Sequence, residues 1–122
     1  MTGPINVLCV LLPLRIVSVL NLREHHMARA RRAKLHRRTA HILLGQACPT
    51  PPTGLLRITL TRIAPRELDG HENLPAGFKG VVDGVADWLK VDDSDKRLTF
   101  AYAQRTGKPK EYAAEVVVEW AA

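Results

Sequence analysis

Residues 73 to 90 read NLPAGFKGVVDGVADWLK, and this segment has the plainest amphipathic helix pattern in the chain. At about 100° per residue, its larger apolar side chains fall within one arc of roughly 120°. That arc contains Leu74, Phe78, Val81, Val82, Val85, Trp88 and Leu89. Asn73 is a suitable N-cap, and Pro75 is tolerated in a first helical turn. We therefore predict a helix over 73–90 whose apolar face is covered by the core.

A stripe of glycines lies beside that arc, at Gly77, Gly80 and Gly84. A glycine in a helix interior costs roughly 0.5–1 kcal/mol relative to alanine. Three of them in one helix therefore indicate that another surface presses closely against it. A sheet or a partner subunit would each explain the stripe.

Strand patterns lie on both sides of this helix. Residues 5–20 are rich in Val, Ile and Leu, which predicts a buried strand with a bend near Pro13. Residues 55–63 alternate between apolar and polar side chains, as a strand with one solvated face does. Residues 97–104 and 112–120 predict two further strands, joined by a turn at 106–109.

A second helix is predicted over 23–45, a segment rich in Ala, Arg, Leu and Lys that ends at a plausible C-cap, Gly45. The element order is then β-α-β-α-β-β. This order predicts an α/β (α+β) fold in which two helices pack on a small, four-stranded mixed sheet. We expect one domain over residues 1–122, with flexibility of residues 1–10 as an open alternative.

The composition is that of a globular domain, because 46% of the 122 residues are apolar and 25% are charged. Cys9 and Cys48 form neither a disulfide framework nor a metal-binding box, which favours a reducing, cytoplasmic setting. The apolar stretch at 5–20 is too short and too interrupted for a membrane span, so we expect no membrane association, with a signal segment or membrane anchor as the alternative.

Charge is distributed very unevenly. The chain has 18 Lys and Arg against 12 Asp and Glu, and the window 23–38 holds the whole excess of +6. Its basic residues are Arg23, Arg29, Arg31, Arg32, Lys34, Arg37 and Arg38. The window 69–95 has seven acids against two lysines. A basic segment and an acidic cluster together suggest a polyanion held over a cation site, with two merely solvated faces as the alternative.

Several of the acids are spaced so that they could act together. Extending the helix back by one turn places Glu72, Lys79 and Asp83 on the same side, opposite the apolar arc. Asp69 precedes this turn, and Asp92 and Asp93 follow the helix. Mg²⁺ binds carboxylates together with phosphate oxygens, and it can activate water against a phosphodiester. Acidic helix ends without any metal are the alternative.

The segment Leu68-Asp69-Gly70-His71-Glu72-Asn73-Leu74, followed by Lys79, Asp83 and the pair Asp92-Asp93, resembles the RusA family of Holliday junction resolvases. These phage-type endonucleases have an acidic pair ending in Asp-Asn-Leu, then a helix with Lys-x-x-x-Asp, then an Asp-Asp pair. The resemblance covers roughly residues 11–120, and its specific part is 68–93.

The resemblance implies roles for individual residues. It implies that Asp69, Glu72 and Asp93 are catalytic and bind Mg²⁺, with Mn²⁺ as a possible substitute. Lys79 matches the catalytic lysine. Asp83, Asp92 and Asn73 then have supporting or structural roles. The chain departs from the family pattern in three ways. Glu72 stands in place of the usual aspartate, and two residues separate Asp69 from Glu72. Lys79 lies six residues after Asn73, whereas the family pattern has three.

The function that the resemblance implies is Mg²⁺-dependent hydrolysis of phosphodiesters in Holliday junctions and other branched DNA, during recombination and repair. A homodimer would supply the two active sites that paired cuts require, and the seven basic residues of 23–38 would bind the DNA backbone. One alternative is a catalytically degenerate relative that only binds nucleic acid through this helix. Another is an interaction protein whose basic helix binds an acidic partner.

Overall fold

The computed structural model describes residues 3–18, 24–69 and 73–122. Within these ranges one sheet has the strand order β1-β4-β2-β3, and helices are packed on it. The elements are β1 (Ile5–Leu12), α1 (His26–Ala47), β2 (Leu56–Ala64), α2 (Asn73–Gly77), α3 (Lys79–Leu89), β3 (Leu98–Thr106) and β4 (Ala113–Ala121). This is the predicted α+β layout with a four-stranded mixed sheet, and its second helix is in two pieces.

The sheet is mixed because β2 and β3 run parallel, whereas β4 pairs antiparallel with both β1 and β2. The last two strands are therefore not neighbours, although only residues 107–112 separate them. This connection crosses the end of β2, where the Gly107 N–H donates to the Ala64 carbonyl at 2.8 Å. A Cβ on Gly107 would lie 3.1 Å from Cγ2 of Ile63, so the crossing is close.

The core lies between the helices and one face of the sheet. Ile58 and Leu60 of β2 and Val116 and Val118 of β4 are fully buried there. All seven apolar residues predicted to form the arc of the second helix are also buried. Each such side chain contributes roughly 1.5–3 kcal/mol on burial. This prediction is confirmed.

The prediction for residues 5–20 is only partly right. β1 ends at Leu12, immediately before the proline, and it is an edge strand. Val7 and Leu11 point to the other face of the sheet and are exposed, whereas Leu12, Leu14 and Ile16 are buried. Within residues 1–10, which were left open as flexible, those from Ile5 onward pair with β4. Residues 19–23 of the predicted strand and helix lie outside the described ranges.

Helix α1 continues past the predicted C-cap, Gly45. It ends at Ala47 with Cys48 as the cap, whose N–H donates to the Leu44 carbonyl at 2.8 Å. The prolines that begin at Pro49 stop the helix, because proline lacks the N–H that the next turn requires.

The helix predicted over 73–90 is divided at Phe78, whose φ of −89° and ψ of 1° separate α2 from α3. Backbone bonds still cross the division, from Phe78 N–H to Leu74 and from Val82 N–H to Phe78. Asn73 is the first residue of α2 and not its N-cap. Lys90 ends α3 in the left-handed conformation, with a φ of 59°.

The surface pressed against Gly80 and Gly84 is helix α1, where a sheet or a partner subunit was expected. A Cβ on Gly80 would lie 2.6 Å from the Ala33 carbonyl oxygen, and one on Gly84 would lie 2.8 Å from Cβ of Ala40. Gly77 instead faces the segment that follows β1. The stripe therefore lets α1 and α3 approach each other closely.

Two smaller findings bear on the setting of the protein. Cys9 and Cys48 are both free thiols. Where the chain is described, none of its helices combines the length and the apolar character needed to cross a bilayer.

Candidate functional site

The structure brings together three of the residues that the motif singled out. Lys79 begins α3, Asp83 lies one turn further on, and Asp93 lies in the loop after the helix. Lys79 Nζ donates to Asp83 Oδ1 at 2.9 Å and to Asp93 Oδ2 at 2.8 Å. We call these residues the lysine cluster. The hydrogen bonds that Lys79 donates to Asp93 and Asp83 raise its pKa, so its amine stays charged and cannot act as a base.

The loop after α3 orients Asp93 through its neighbours. Lys90 turns the chain back at the helix end, and the Asp92 carboxylate accepts hydrogen bonds from Ser94 N and Oγ at 2.9 and 2.7 Å. These bonds lower the pKa of Asp92. Asp95 pairs with Arg97 at 2.7 Å, which lowers the Asp95 pKa to about 2. The Asp92 carboxylate thus bonds within its own loop, whereas the Asp93 carboxylate bonds to Lys79.

Asp69 and Asn73 lie at the other end of the motif. The Asn73 side chain is buried, accepts a hydrogen bond from Ser18 Oγ at 2.5 Å and donates to the Asp69 carbonyl. Leu68, just before Asp69, exchanges two bonds with the Gln104 side chain, at 2.8 and 3.0 Å. The backbone at Asp69 is therefore held in place while its carboxylate is exposed.

The predicted metal ligands can be compared only in part, because Glu72 lies outside the described ranges. Among residues 3–18, 24–69 and 73–122, no three His, Cys, Asp or Glu side chains are grouped so that they could hold a metal ion. Asp69 and Asp93 have the oxygen donors that Mg²⁺ prefers, but no contact between these two residues is seen, and Asp93 bonds to Lys79 instead. Binding of Mg²⁺ or Mn²⁺ remains a prediction.

A groove of about 190 Å³ borders the lysine cluster on its acidic side, lined by Arg37, Asp83, Ala86, Asp87, Val91, Asp92 and Asp93. Arg37 of α1 donates from Nε to Asp87 Oδ2 at 2.7 Å and from Nη2 to Asp87 Oδ1 at 2.9 Å. The Arg37 guanidinium lowers the pKa of Asp87. This pair joins the basic helix to the acidic groove.

The basic residues of α1 do not form one uniform surface. Arg32 pairs with both oxygens of Glu24, and Arg29 lies 3.6 Å from the same carboxylate. The remaining three, Arg31, Lys34 and Arg38, are exposed and form no ion pair within the described part of the chain. Their spacing of three and four residues places them on one side of α1. We call them the α1 stripe. Arg23 lies outside the described ranges.

His36 is a residue whose environment the sequence did not predict. His36 is only 4% exposed and lines a cavity of about 200 Å³ with Arg29, Arg32 and Lys79. Burial, and then the charge of Arg32, lowers its pKa. The spacing of His36, Ala40 and Leu44, four residues apart, was the signal that could have placed it on the buried side.

Arg62 is the second residue that was missed. It continues the apolar face of β2 after Leu56, Ile58 and Leu60, and it is only 7% exposed. An arginine at the next position of an alternating apolar series is a visible exception in the sequence. It lines a further cavity, which contains Arg15, Arg66 and Tyr112 as well.

No protein-family model matches the chain, and the search of curated proteins found no match either.

Proposed function

We propose that this chain is a Mg²⁺-dependent endonuclease that hydrolyses phosphodiesters in four-way and other branched DNA, as the resemblance to the RusA family implies. The observation that supports it best is the lysine cluster. Residues of the motif that are far apart in sequence, Lys79 and Asp93, are joined there through a charged hydrogen bond of 2.8 Å. A merely solvated acidic helix end has no need of such a contact.

The residues of the lysine cluster have distinct parts in this proposal. Lys79 stays protonated, so its role is to stabilise negative charge that develops on a phosphate. Asp83 fixes the lysine from its own helix, one turn away. The metal requirement is assigned to Asp69, Glu72 and Asp93 by the resemblance alone.

The α1 stripe is the part of the protein that we assign to the DNA backbone. Arg31, Lys34 and Arg38 are exposed on one side of α1, and none is neutralised by a described carboxylate. Each cation placed against a phosphate releases counterions, so binding is expected to weaken as salt rises. Contacts of this kind position a duplex without reading its sequence. A homodimer would provide the two cutting sites that a two-fold symmetric junction needs.

A second candidate is a protein that binds nucleic acid without cutting it. One observation favours it, since the described acids form no group of three that could hold a metal. In this case the lysine cluster is a structural link between α3 and the loop that follows, and the α1 stripe has the only functional role.

Cleavage of a labelled four-way junction separates the two candidates. With Mg²⁺, the parent is expected to make paired cuts in the junction and none in a linear duplex. Asp93→Asn should lower the rate by about 100-fold, the scale on which a group that stabilises the reacting centre acts, while junction binding is retained. Asp95→Asn is the matched control, because Asp95 lies in the same loop but pairs with Arg97.

The outcomes divide clearly. Cutting that is lost in Asp93→Asn and kept in Asp95→Asn supports the endonuclease. A parent that binds the junction but never cuts it supports the second candidate. If Asp93→Asn cuts as fast as the parent, the assignment of Asp93 is wrong, and a parent that neither binds nor cuts excludes both candidates.

A further inference from the structure

Three arginines meet at one end of the sheet, in a cavity that no residue of the lysine cluster lines. Arg15 follows β1, Arg62 lies near the end of β2, and Arg66 lies just after β2. The register of β4 with its two neighbours brings the ends of β1 and β2 together at the start of β4. There the three arginines line a cavity of about 170 Å³ with Ala64, Pro65 and Tyr112.

Arg62 is the buried member of this group. Its Nε donates to the Ile16 carbonyl at 2.8 Å, and its Nη1 donates to the Arg66 carbonyl at 2.6 Å. A longer contact of 3.5 Å reaches the side-chain oxygen of Gln104. All three acceptors are neutral. Burial and then the charge of Arg15 lower the pKa of Arg62, but a guanidinium is still protonated at neutral pH.

The positive charge of this cavity has no counter-charge among the residues that the structure describes. None of Arg15, Arg62 and Arg66 forms an ion pair with a carboxylate of residues 3–18, 24–69 or 73–122. Arg15 instead lies over the Tyr112 ring, 4.2 Å from its centre. A buried charge is costly unless an opposite charge or a full set of hydrogen bonds compensates it. The described lining of the cavity therefore carries a net positive charge, which a bound anion would neutralise.

We propose that the cavity formed by Arg15, Arg62, Arg66 and Tyr112 binds a phosphate group. Guanidinium forks match the oxygens of a phosphate and form strong, charge-assisted hydrogen bonds with them. The Tyr112 phenol carries a further hydroxyl donor. The volume is below the roughly 300–1,000 Å³ of typical small-molecule sites, so the cavity fits one phosphate group and not an entire larger ligand. This inference does not depend on the proposed nuclease function.

Two sources could supply the phosphate, a nucleic-acid backbone or a phosphorylated small molecule. Both present the same tetrahedral oxyanion to the arginines. The pocket lies at the end of β2 from which the chain leads to Asp69. If the source is DNA, the cavity is a second backbone contact, formed by residues other than those of the α1 stripe.

Inorganic phosphate is the probe for the site, titrated into the full chain at low salt and followed by calorimetry and by the NMR signal of the Arg62 Nε–H. Sodium chloride at the same ionic strength is the blank. Saturable binding is expected, with a shift of the Arg62 signal. Arg15→Ala and Arg66→Ala should each raise the dissociation constant about tenfold, as the loss of one charge-assisted bond does.

Arg57→Ala is the matched control. Arg57 lies on the same strand as Arg62, but its side chain is exposed on the other face of the sheet. Arg57→Ala removes the same charge as Arg66→Ala but leaves the cavity intact, so the dissociation constant for phosphate should stay within twofold of the parent value. The proposal is wrong if the parent shows no saturable binding, or if Arg57→Ala weakens binding as much as Arg66→Ala. Arg66 and Arg15 are exposed, so their replacement leaves the fold intact.

The same variants identify the source of the phosphate. If Arg66→Ala also weakens the binding of junction DNA and Arg57→Ala does not, the phosphate belongs to nucleic acid. The slope of DNA affinity against salt concentration should then fall by about one. If Arg66→Ala weakens the binding of inorganic phosphate and leaves DNA affinity unchanged, the site binds a phosphorylated small molecule. Both results support a phosphate site. Neither requires cleavage, so failure of the nuclease proposal is a separate result.

Discussion

Lys79 and Arg62 are cations that the molecule accommodates in opposite ways. The Lys79 side chain is 62% exposed and bonds two carboxylates, so its charge is neutralised at the surface. Arg62 is buried, and its bonds go to neutral oxygens, so its charge is undiminished. A count of basic residues does not reveal this difference. The place where an anion binds depends on which cations lack an acid, and that depends on the fold.

Replacement of Arg62 by methionine tests the buried side of this comparison and has the largest expected effect on stability. Arg62→Met leaves the carbonyls of Ile16 and Arg66 without their donors, which should lower the free energy of unfolding by about 2 kcal/mol. Urea unfolding measures it. Arg57→Met, on the exposed face of the same strand, should change stability by less than about 0.5 kcal/mol. An Arg62→Met protein as stable as the parent would mean that the free-energy cost of burying the charge is as large as the stabilisation from its hydrogen bonds.

His36 provides an intermediate case, a buried base that can give up its charge. Burial and Arg32 lower its pKa, so the unfolded chain binds the proton more readily than the native one. Stability should therefore fall as pH drops below the unfolded value of about 6.5. One proton limits this slope to about 1.4 kcal/mol per pH unit.

The measurement for His36 is urea unfolding at pH 7.5 and pH 5.5. The stability of the parent relative to His36→Gln should decrease at the lower pH. Only the parent has a histidine at this buried position, which must either stay neutral or carry a buried charge. Arg29, Arg32 and Lys79 line the same cavity, so the disfavoured charge would lie among cations. His41→Gln, at an exposed position of α1, is the control, and an equal effect there would contradict the assignment.

Replacement of Lys79 by methionine has the smallest expected effect on stability. Ion pairs at exposed positions contribute about 1 kcal/mol or less, and Lys34→Met provides an exposed control on α1. Because the hydrogen bonds that Lys79 donates to Asp93 and Asp83 raise its pKa, its contribution is complete below the unfolded value of about 10.4 and is lost as pH rises beyond it. Unfolding at pH 8 and pH 11 should show a smaller difference between parent and Lys79→Met at pH 11.

The sequence predicted those features of the fold that depend on local patterns. The apolar arc from Leu74 to Leu89 repeats at the helical period, so its burial followed directly. The division at Phe78 and the pairing of Gly80 and Gly84 with α1 could not be predicted, since both depend on packing between distant segments. The alternation in 55–63 predicted β2 but gave no indication that β3 and β4 lie on opposite sides of it.

The candidate site shows the same limit. The spacing of Lys79 and Asp83 follows from the helix, and their contact was foreseeable from it. The contact of Asp93 with Lys79 depends on the path of the loop after α3, which the left-handed Lys90 directs. Arg62 was visible as an exception on the apolar face of β2, but the meeting of Arg15 and Arg66 with it required the sheet order.

The central position of β4 has a consequence for how the chain reaches its native state. β4 is the last of the described strands to be synthesised, yet it separates β1 from β2 and pairs with both. Ile5 at the beginning of the sheet has its register partner at Ala121. A ribosome-bound chain that has emerged only as far as β3 can form the parallel pair of β2 and β3, but β1 has no strand to join. Such long-range pairing slows folding, and β1 cannot take its place in the sheet until translation has passed β4.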